Sequence, residues 1–163
     1  PSERSRYIGY VFQRPERQMF RPTVAEEVAY GPEQAGRSKD EVEAAVVKAL
    51  AETGLTEKAA EYPPNLNRSE KQRVAIASAL AMNTQYIILD EPTRGIDVGA
   101  KSEIYRIMND LVKQGVSIIM ISSELPEIIN MSDRVYVMAA GTIRGCIDHE
   151  EISQESIMAL AAI

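Results

Sequence analysis

Apolar residues recur along this chain in two rhythms, and the alternation between them outlines an architecture. Arg6–Phe12 (RYIGYVF) is rich in aromatic and β-branched residues and predicts a short strand, running into a polar stretch with prolines, Gln13–Pro22. Thr23-Val24-Ala25-Glu26 has capping-box spacing and opens a brief helix expected to stop at Gly31-Pro32. A second box, Ser38-Lys39-Asp40-Glu41, starts a helix with Val42, Ala45, Val46, Ala49 and Leu50 at helical spacing, closed by Gly54. After Pro63-Pro64 a third helix begins near Ser69, with Val74, Ala77, Leu80 and Ala81 on one face. Tyr86–Leu89 (YIIL) is too short for a helix and predicts a strand buried on both faces. An amphipathic helix over Asp97–Gln114 follows, then a second buried strand at Ser117–Ile121 and a short helix at Leu125–Asn130. Arg134–Met138 and Thr142–Ile147 flank Ala140-Gly141 as a hairpin, and Ser153 caps a last helix running to Ala161.

Helices alternating with short apolar strands predict an α/β fold with a parallel sheet and an edge hairpin near the C-terminus. The helical stretch 23–82 shifts in composition without a linker, and no repeat or low-complexity tract interrupts the chain. At 163 residues there is one domain's worth of sequence, with ordinary hydrophobic (45%) and charged (26%) content. The net charge of −6, with no basic run of five or more, argues against a nucleic-acid partner, because Lys and Arg supply most of that binding. The single cysteine, Cys146, cannot form an internal disulfide, so nothing demands an oxidising compartment. No apolar run approaches the ~18 residues of a membrane span. The polar start from Pro1 does not resemble a signal peptide, and its lack of Met leads us to expect a processed product or a segment of a longer chain.

Chemistry concentrates where Tyr86-Ile87-Ile88-Leu89 runs into Asp90-Glu91. Both carboxylates then stand at the C-terminal end of a strand, where α/β sheets place ligands. One can hold a hydrated Mg²⁺ while its neighbour orients and deprotonates a water. Taken alone, such a pair is as readily a solvated turn.

The surrounding residues narrow the choice. Asp90-Glu91-Pro92-Thr93 followed by Arg94-Gly95-Ile96-Asp97 resembles the Walker B and D-loop segment of ABC ATPases. Leu66–Arg73 (LNRSEKQR) resembles that family's signature helix, written L-S-G-G-E-K-Q-R in many members, and Tyr10-Val11-Phe12-Gln13 resembles its Q-loop. This order covers the chain almost end to end. The resemblance implies a P-loop NTPase-like parallel sheet with an inserted helical subdomain, forming one partial ATPase domain over 1–163. Its parts are the Q-loop strand and loop (1–22), the helical subdomain and signature helix (23–82), and the Walker B, D-loop, switch strand and hairpin (83–163). It implies that Asp90 coordinates Mg²⁺ through water and that Glu91 is the general base. Gln13 would touch the metal and the lytic water while reporting on a membrane partner, and Asp97 would bridge the halves of a nucleotide-sandwich dimer. The implied cofactors are ATP and Mg²⁺. The implied partners are a second ATPase domain, head to tail, and transmembrane permease subunits, at the cytoplasmic face of the cell membrane.

Several positions depart from the family pattern. The loop G-x-x-x-x-G-K-[ST], which cradles ATP phosphates, is not among these residues and is expected before Pro1 with its strand and the adenine-stacking aromatic. Gly31–Ser38 imitates it but follows a helix, carries Arg37 in place of lysine, and includes Pro32, which lacks an N–H. In the signature, Ser, Gly and Gly are replaced by Asn67, Arg68 and Ser69, putting side chains where close backbone approach to a γ-phosphate needs none. Asn67 can still cap the helix. Arg68 is expected in a surface salt bridge, or on a phosphate, and Glu70 agrees with the family. The switch position reads Ser122-Ser123-Glu124 where most relatives carry His, and Ser123 can donate a hydrogen bond but carries no charge at neutral pH. The only histidine, His149, reads as a surface residue.

The two portions resemble different branches: residues 7–55 the energy-coupling-factor and cobalt-type ATPases, residues 94–161 the second ATPase domain of ribose-type sugar importers. The expected function is the ATP-hydrolysing part of a transporter importing a solute, with sugar favoured. The alternative is a catalytically silent fragment, or a recombined chimera of such domains, that cannot bind ATP alone. A soluble ABC protein of translation or DNA repair is disfavoured by the acidic charge and the importer-like D-loop. A sheet edge left open by missing strands would invite self-association.

Overall fold

The computed structural model describes residues 7–162, so Arg6 and the polar start before it lie outside the described residues. The chain divides into two units, one ending at Ile121 and the other starting at Ser122.

The first unit contains β1 (Ile8–Val11), α1 (Val24–Gln34), α2 (Lys39–Glu52), α3 (Arg68–Ala81), β2 (Tyr86–Asp90), α4 (Val98–Lys113) and β3 (Ser117–Ile121). The strands form a parallel sheet in the order β1-β2-β3, with Val11 opposite Leu89 and Asp90 opposite Ile121. Helix α3 is the pivot. Its Val74, Ala77 and Ala81 join Val24, Val28, Val42, Val46, Ala49 and Leu50 in a core of α1, α2 and α3. Its other flank lies on β1 so closely that a Cβ at Gly9 would stand 2.9 Å from the Ala79 Cβ, which is why the strand has glycine there.

The helices begin where their capping residues stand. Ser38 and Glu41 exchange both bonds of a capping box, and Asp97 caps α4 through the Ala100 N–H at 3.0 Å. Thr23 accepts from Glu26 at 3.2 Å, but the return bond that would complete its box is not formed among the described residues. Helix α1 does not stop at Gly31-Pro32 as expected; it continues through Pro32 to Gln34. Val24, Val28 and Pro32 repeat every four residues and are all buried, so packing on the core outweighs the bond that proline forfeits near the helix end.

The strands also correct their expectation. β2 is not buried on both faces: Ile87 and Leu89 are inside, while Tyr86 is 45% exposed and Ile88 half-buried. β3 is not a buried strand either, since Ile119 and Ile121 are 54% and 49% exposed. Ile8 and Tyr10 of β1 share this outward set. A continuous apolar run records affinity for cover on both faces, but the described helices supply cover on one.

The second unit holds α5 (Leu125–Met131), β4 (Arg134–Ala139), β5 (Thr142–Asp148) and α6 (Gln154–Ala161). Ala140 and Gly141, at φ +49° and +76°, make the tight turn of an antiparallel hairpin. The hairpin is a two-stranded sheet of its own, not an edge of the parallel sheet. Val135, Val137 and Ile147 pack with Ile157, Ile128 and Leu160, a small core that serves this unit. His149 is exposed, its Nδ1 3.3 Å from the Ser132 carbonyl.

Candidate functional site

The parallel register brings three of the expected residues to one end of the sheet. Asp90 is the last residue of β2, Glu91 follows it, and Gln13 comes two residues after β1, whose Val11 lies beside Leu89. All three are half-buried. The Glu91 N–H donates to the Ile121 carbonyl at 2.8 Å, which ties the acidic pair to the end of β3. Glu91 adopts φ +49°, a left-handed conformation that costs a residue with a Cβ about 1–2 kcal/mol. Strain of this kind persists only where neighbours impose it, and it collects at functional positions. Its carboxylate lies 3.9 Å from the Arg94 guanidinium.

Tyr10 opens the stretch that resembles the Q-loop, but the motif gave it no role. Its hydroxyl donates to Asp90 Oδ2 at 3.4 Å. Desolvation first, then the Asp90 charge and the bond to it, push the phenol above its ordinary value. The available signal was strand parity: Tyr10 and Asp90 fall on the same outward face of adjacent strands.

Among the described residues no three His, Cys, Asp or Glu side chains gather as a metal cage. Mg²⁺ needs no cage. It keeps several waters and takes one or two carboxylates plus substrate phosphates, so the oxygen donors of Asp90 and Gln13 fit it in kind.

The signature region forms the start of α3. Asn67 Oδ1 accepts from the Glu70 N–H and Glu70 Oε2 from the Asn67 N–H, each at 2.9 Å, a complete capping box. Glu70 also pairs with Lys58 at 3.7 Å. Ser69 is buried, and its hydroxyl has no partner within the described protein. Among the described residues Arg68 does not form the expected salt bridge; its guanidinium lies against Gly95 in the turn after β2. Asp97 is exposed and uses one oxygen as the cap of α4.

Ser123 belongs to the second unit, two residues after β3 ends. Beside it Ser122 donates to Glu127 at 2.5 Å and accepts from the Glu124 N–H at 3.0 Å. Gly31–Ser38 is no phosphate loop: it comprises the last turn of α1, a short link and the cap of α2. Arg37 donates to the carbonyls of Ala81 and Met82 at 2.9 and 2.6 Å and so closes the end of α3. A cavity of about 530 Å³ in the first unit, lined by Tyr10, Phe20, Glu27, Tyr30, Met82 and others, does not include Gln13, Asp90 or Glu91.

No helix among the described residues is long and apolar enough to cross a membrane. Comparison with known proteins gives the family. The ribose import ATP-binding protein RbsA of Yersinia pestis is 56% identical over 96 residues, which are 59% of this chain and 19% of that protein. The protein of the same name from Caldanaerobacter subterraneus is 58% identical over 93 residues, 57% of this chain and 19% of its own length. The chain thus spans about a fifth of these relatives. Among solved structures, cbiO1 of Clostridium perfringens, part of the ABC transporter complex cbiONQ, superimposes with TM-score 0.85 at 32% identity, covering 94% of this chain and 61% of that one. The ADP conformation of MJ1267, an ATP-binding cassette of an ABC transporter, gives 0.82 at 25% identity, covering 98% and 70%. The family profile described as ABC transporter matches residues 2–94, more than half of the sequence, and the chain belongs to that family.

Proposed function

We propose that this chain supplies the magnesium-binding and water-activating side of an ATPase that drives import of a solute, with sugar favoured. The observation that carries the proposal is that Asp90 and Glu91 stand at the end of β2, and Gln13 follows β1, at the same C-terminal end of adjacent parallel strands. The likeness to ribose import proteins supports the sugar.

In this reading Asp90 and Gln13 would hold the metal, which when bound would neutralise phosphate oxygens. Glu91 aligns a water and accepts its proton as the water oxygen attacks the γ-phosphorus, and the bond to the ADP oxygen breaks. Tyr10 keeps Asp90 in place from the neighbouring strand. Asp97 faces a second ATPase domain in a head-to-tail dimer. Asn67, Arg68, Ser69 and Glu70 form this chain's signature surface toward the partner's nucleotide, and Ser123 stands at the switch position. Permease subunits would transmit the resulting closure and opening across the membrane, leaving the ATPase on its cytoplasmic face.

The sequence contains no G-x-x-x-x-G-K-[ST] loop, so Mg-ATP titrated into this chain alone is expected to give no saturable heat. In a cassette that carries the loop, Glu91→Gln should abolish turnover while ATP still binds. Turnover retained in that variant removes Glu91 from the role of base.

A further inference from the structure

Arg68 stands where the signature pattern that this segment resembles has glycine, and its use of that position is visible in the geometry. A Cβ built on Gly95 would lie 3.1 Å from Arg68 Cζ, 3.2 Å from Nη1 and 3.4 Å from Nε. Near-equal distances to three atoms of one plane, with the central carbon closest, mean that the guanidinium lies face-on over the glycine. Gly95 has φ +72°, a conformation side chains rarely adopt, so it gives the turn its bend and the arginine its seat.

The turn beneath is also held by its own backbone bonds. The Arg94 N–H donates to the Glu91 carbonyl at 3.2 Å and the Ile96 N–H to the Thr93 carbonyl at 3.1 Å, with Thr93 and Ile96 buried. Arg68 roofs this turn from α3. Five residues along the same helix, Arg73 reaches Glu103 of α4 at 3.5 Å and donates to the Thr53 carbonyl at 3.2 Å. The segment from Glu91 to α4 is thereby fastened to α3 at two points, one before Asp97 and one after it.

We infer that Arg68 is a positioning residue that clamps the turn between Glu91 and Asp97 onto α3. The inference rests on the proposed roles of Glu91 and Asp97, whose places in space the turn sets. A glycine at 68 has no side chain to reach across, and a lysine lacks the planar face.

Amide hydrogen exchange on this chain tests the clamp without any ATP turnover. Arg68→Ala should speed exchange across residues 93–100 by roughly tenfold while α2 and the β4–β5 hairpin keep wild-type rates. Arg68→Lys should not restore protection. Gly95→Ala puts a methyl in the seat and adds backbone strain of its own, so it should speed the same residues at least as much. Removing Arg68 in that background should then change nothing further, because the contact is already gone. Unchanged exchange in Arg68→Ala, full protection in Arg68→Lys, or an additive double variant would each overturn the clamp. So would a rise shared by α2, which would make Arg68 a general stabiliser. None of these results bears on Glu91 as base, and loss of that assignment would leave the exchange pattern intact.

Discussion

At the scale of single residues, the acidic pair is asymmetric. Asp90 ends a strand in ordinary extended geometry, whereas Glu91 is forced into left-handed space and pairs with Arg94 at 3.9 Å. Glycine relieves that strain, so Glu91→Gly should be more stable than Glu91→Gln by about 1 kcal/mol in urea denaturation. Both variants lose the ion pair, so their difference sets the strain relieved against the side-chain contacts that Gln keeps and the chain freedom that Gly adds to the unfolded state. A Gly variant no more stable than the Gln variant would mean that the strain is smaller than those two opposing terms. Tyr10 offers a second check. Its phenol is raised above its ordinary value by desolvation and by Asp90, so the neutral form is favoured in the folded state. That contribution is complete below the ordinary tyrosine range and is lost as pH rises through the folded value. Asp90→Asn removes the charge but not the desolvation, and an ultraviolet titration differenced against Tyr10→Phe should show a partial return of Tyr10 toward normal. A full return would make burial irrelevant, and no return would sever Tyr10 from Asp90.

At the scale of elements, what was legible depended on whether the signal is local. Capping residues and helical stripes sit within one turn of what they control, so α2, α3 and α4 begin within a residue of Ser38, Asn67 and Asp97. The acidic pair and the glutamine became candidates only through the order of the surrounding motifs, since a pair at a strand end is by itself as readily a solvated turn. Burial of a strand face is a long-range property: nothing within Tyr86–Leu89 says that only one side would be covered. The seat of Arg68 was illegible because it joins residues 27 positions apart, and the run through Pro32 because a core stripe outweighed a breaker. The cap of α3 gives a quantitative test. Asn67→Ala loses the bond from Glu70 N–H at 2.9 Å and should cost about 1 kcal/mol, whereas Asn67→Ser, which can accept the same bond, should cost a few tenths. Chemical denaturation of the three proteins measures this directly. An Ala variant as stable as the parent would leave the capping box without an energetic role.

At the scale of the whole molecule, the outward face of the parallel sheet is the apolar surface that stands out. Ile8, Tyr10, Phe12, Tyr86, Ile119 and Ile121 are 41–54% exposed, and all but Phe12 lie within the three paired strands. Side chains of this size at half exposure leave on the order of 500 Å² of apolar surface bare. Two copies meeting through it would bury roughly 1,000 Å², the threshold at which specific association starts. The edges of β1 and β3 also present backbone groups unpaired among the described strands, a second incentive to associate. We therefore expect sedimentation to show a concentration-dependent dimer of the chain, with a dissociation constant on the order of tens of micromolar. Each copy carries a net charge of −6, so the monomers repel. Salt screens that repulsion and leaves apolar burial intact, so the dimer should tighten as sodium chloride rises. An interface built on ion pairs would loosen instead. Ile119→Lys puts a charge on the bare face at a position already 54% exposed, so it should spare the fold while returning the chain to monomer. A wild-type chain that stays monomeric, or a dimer indifferent to Ile119→Lys, would show that the bare face does not drive association.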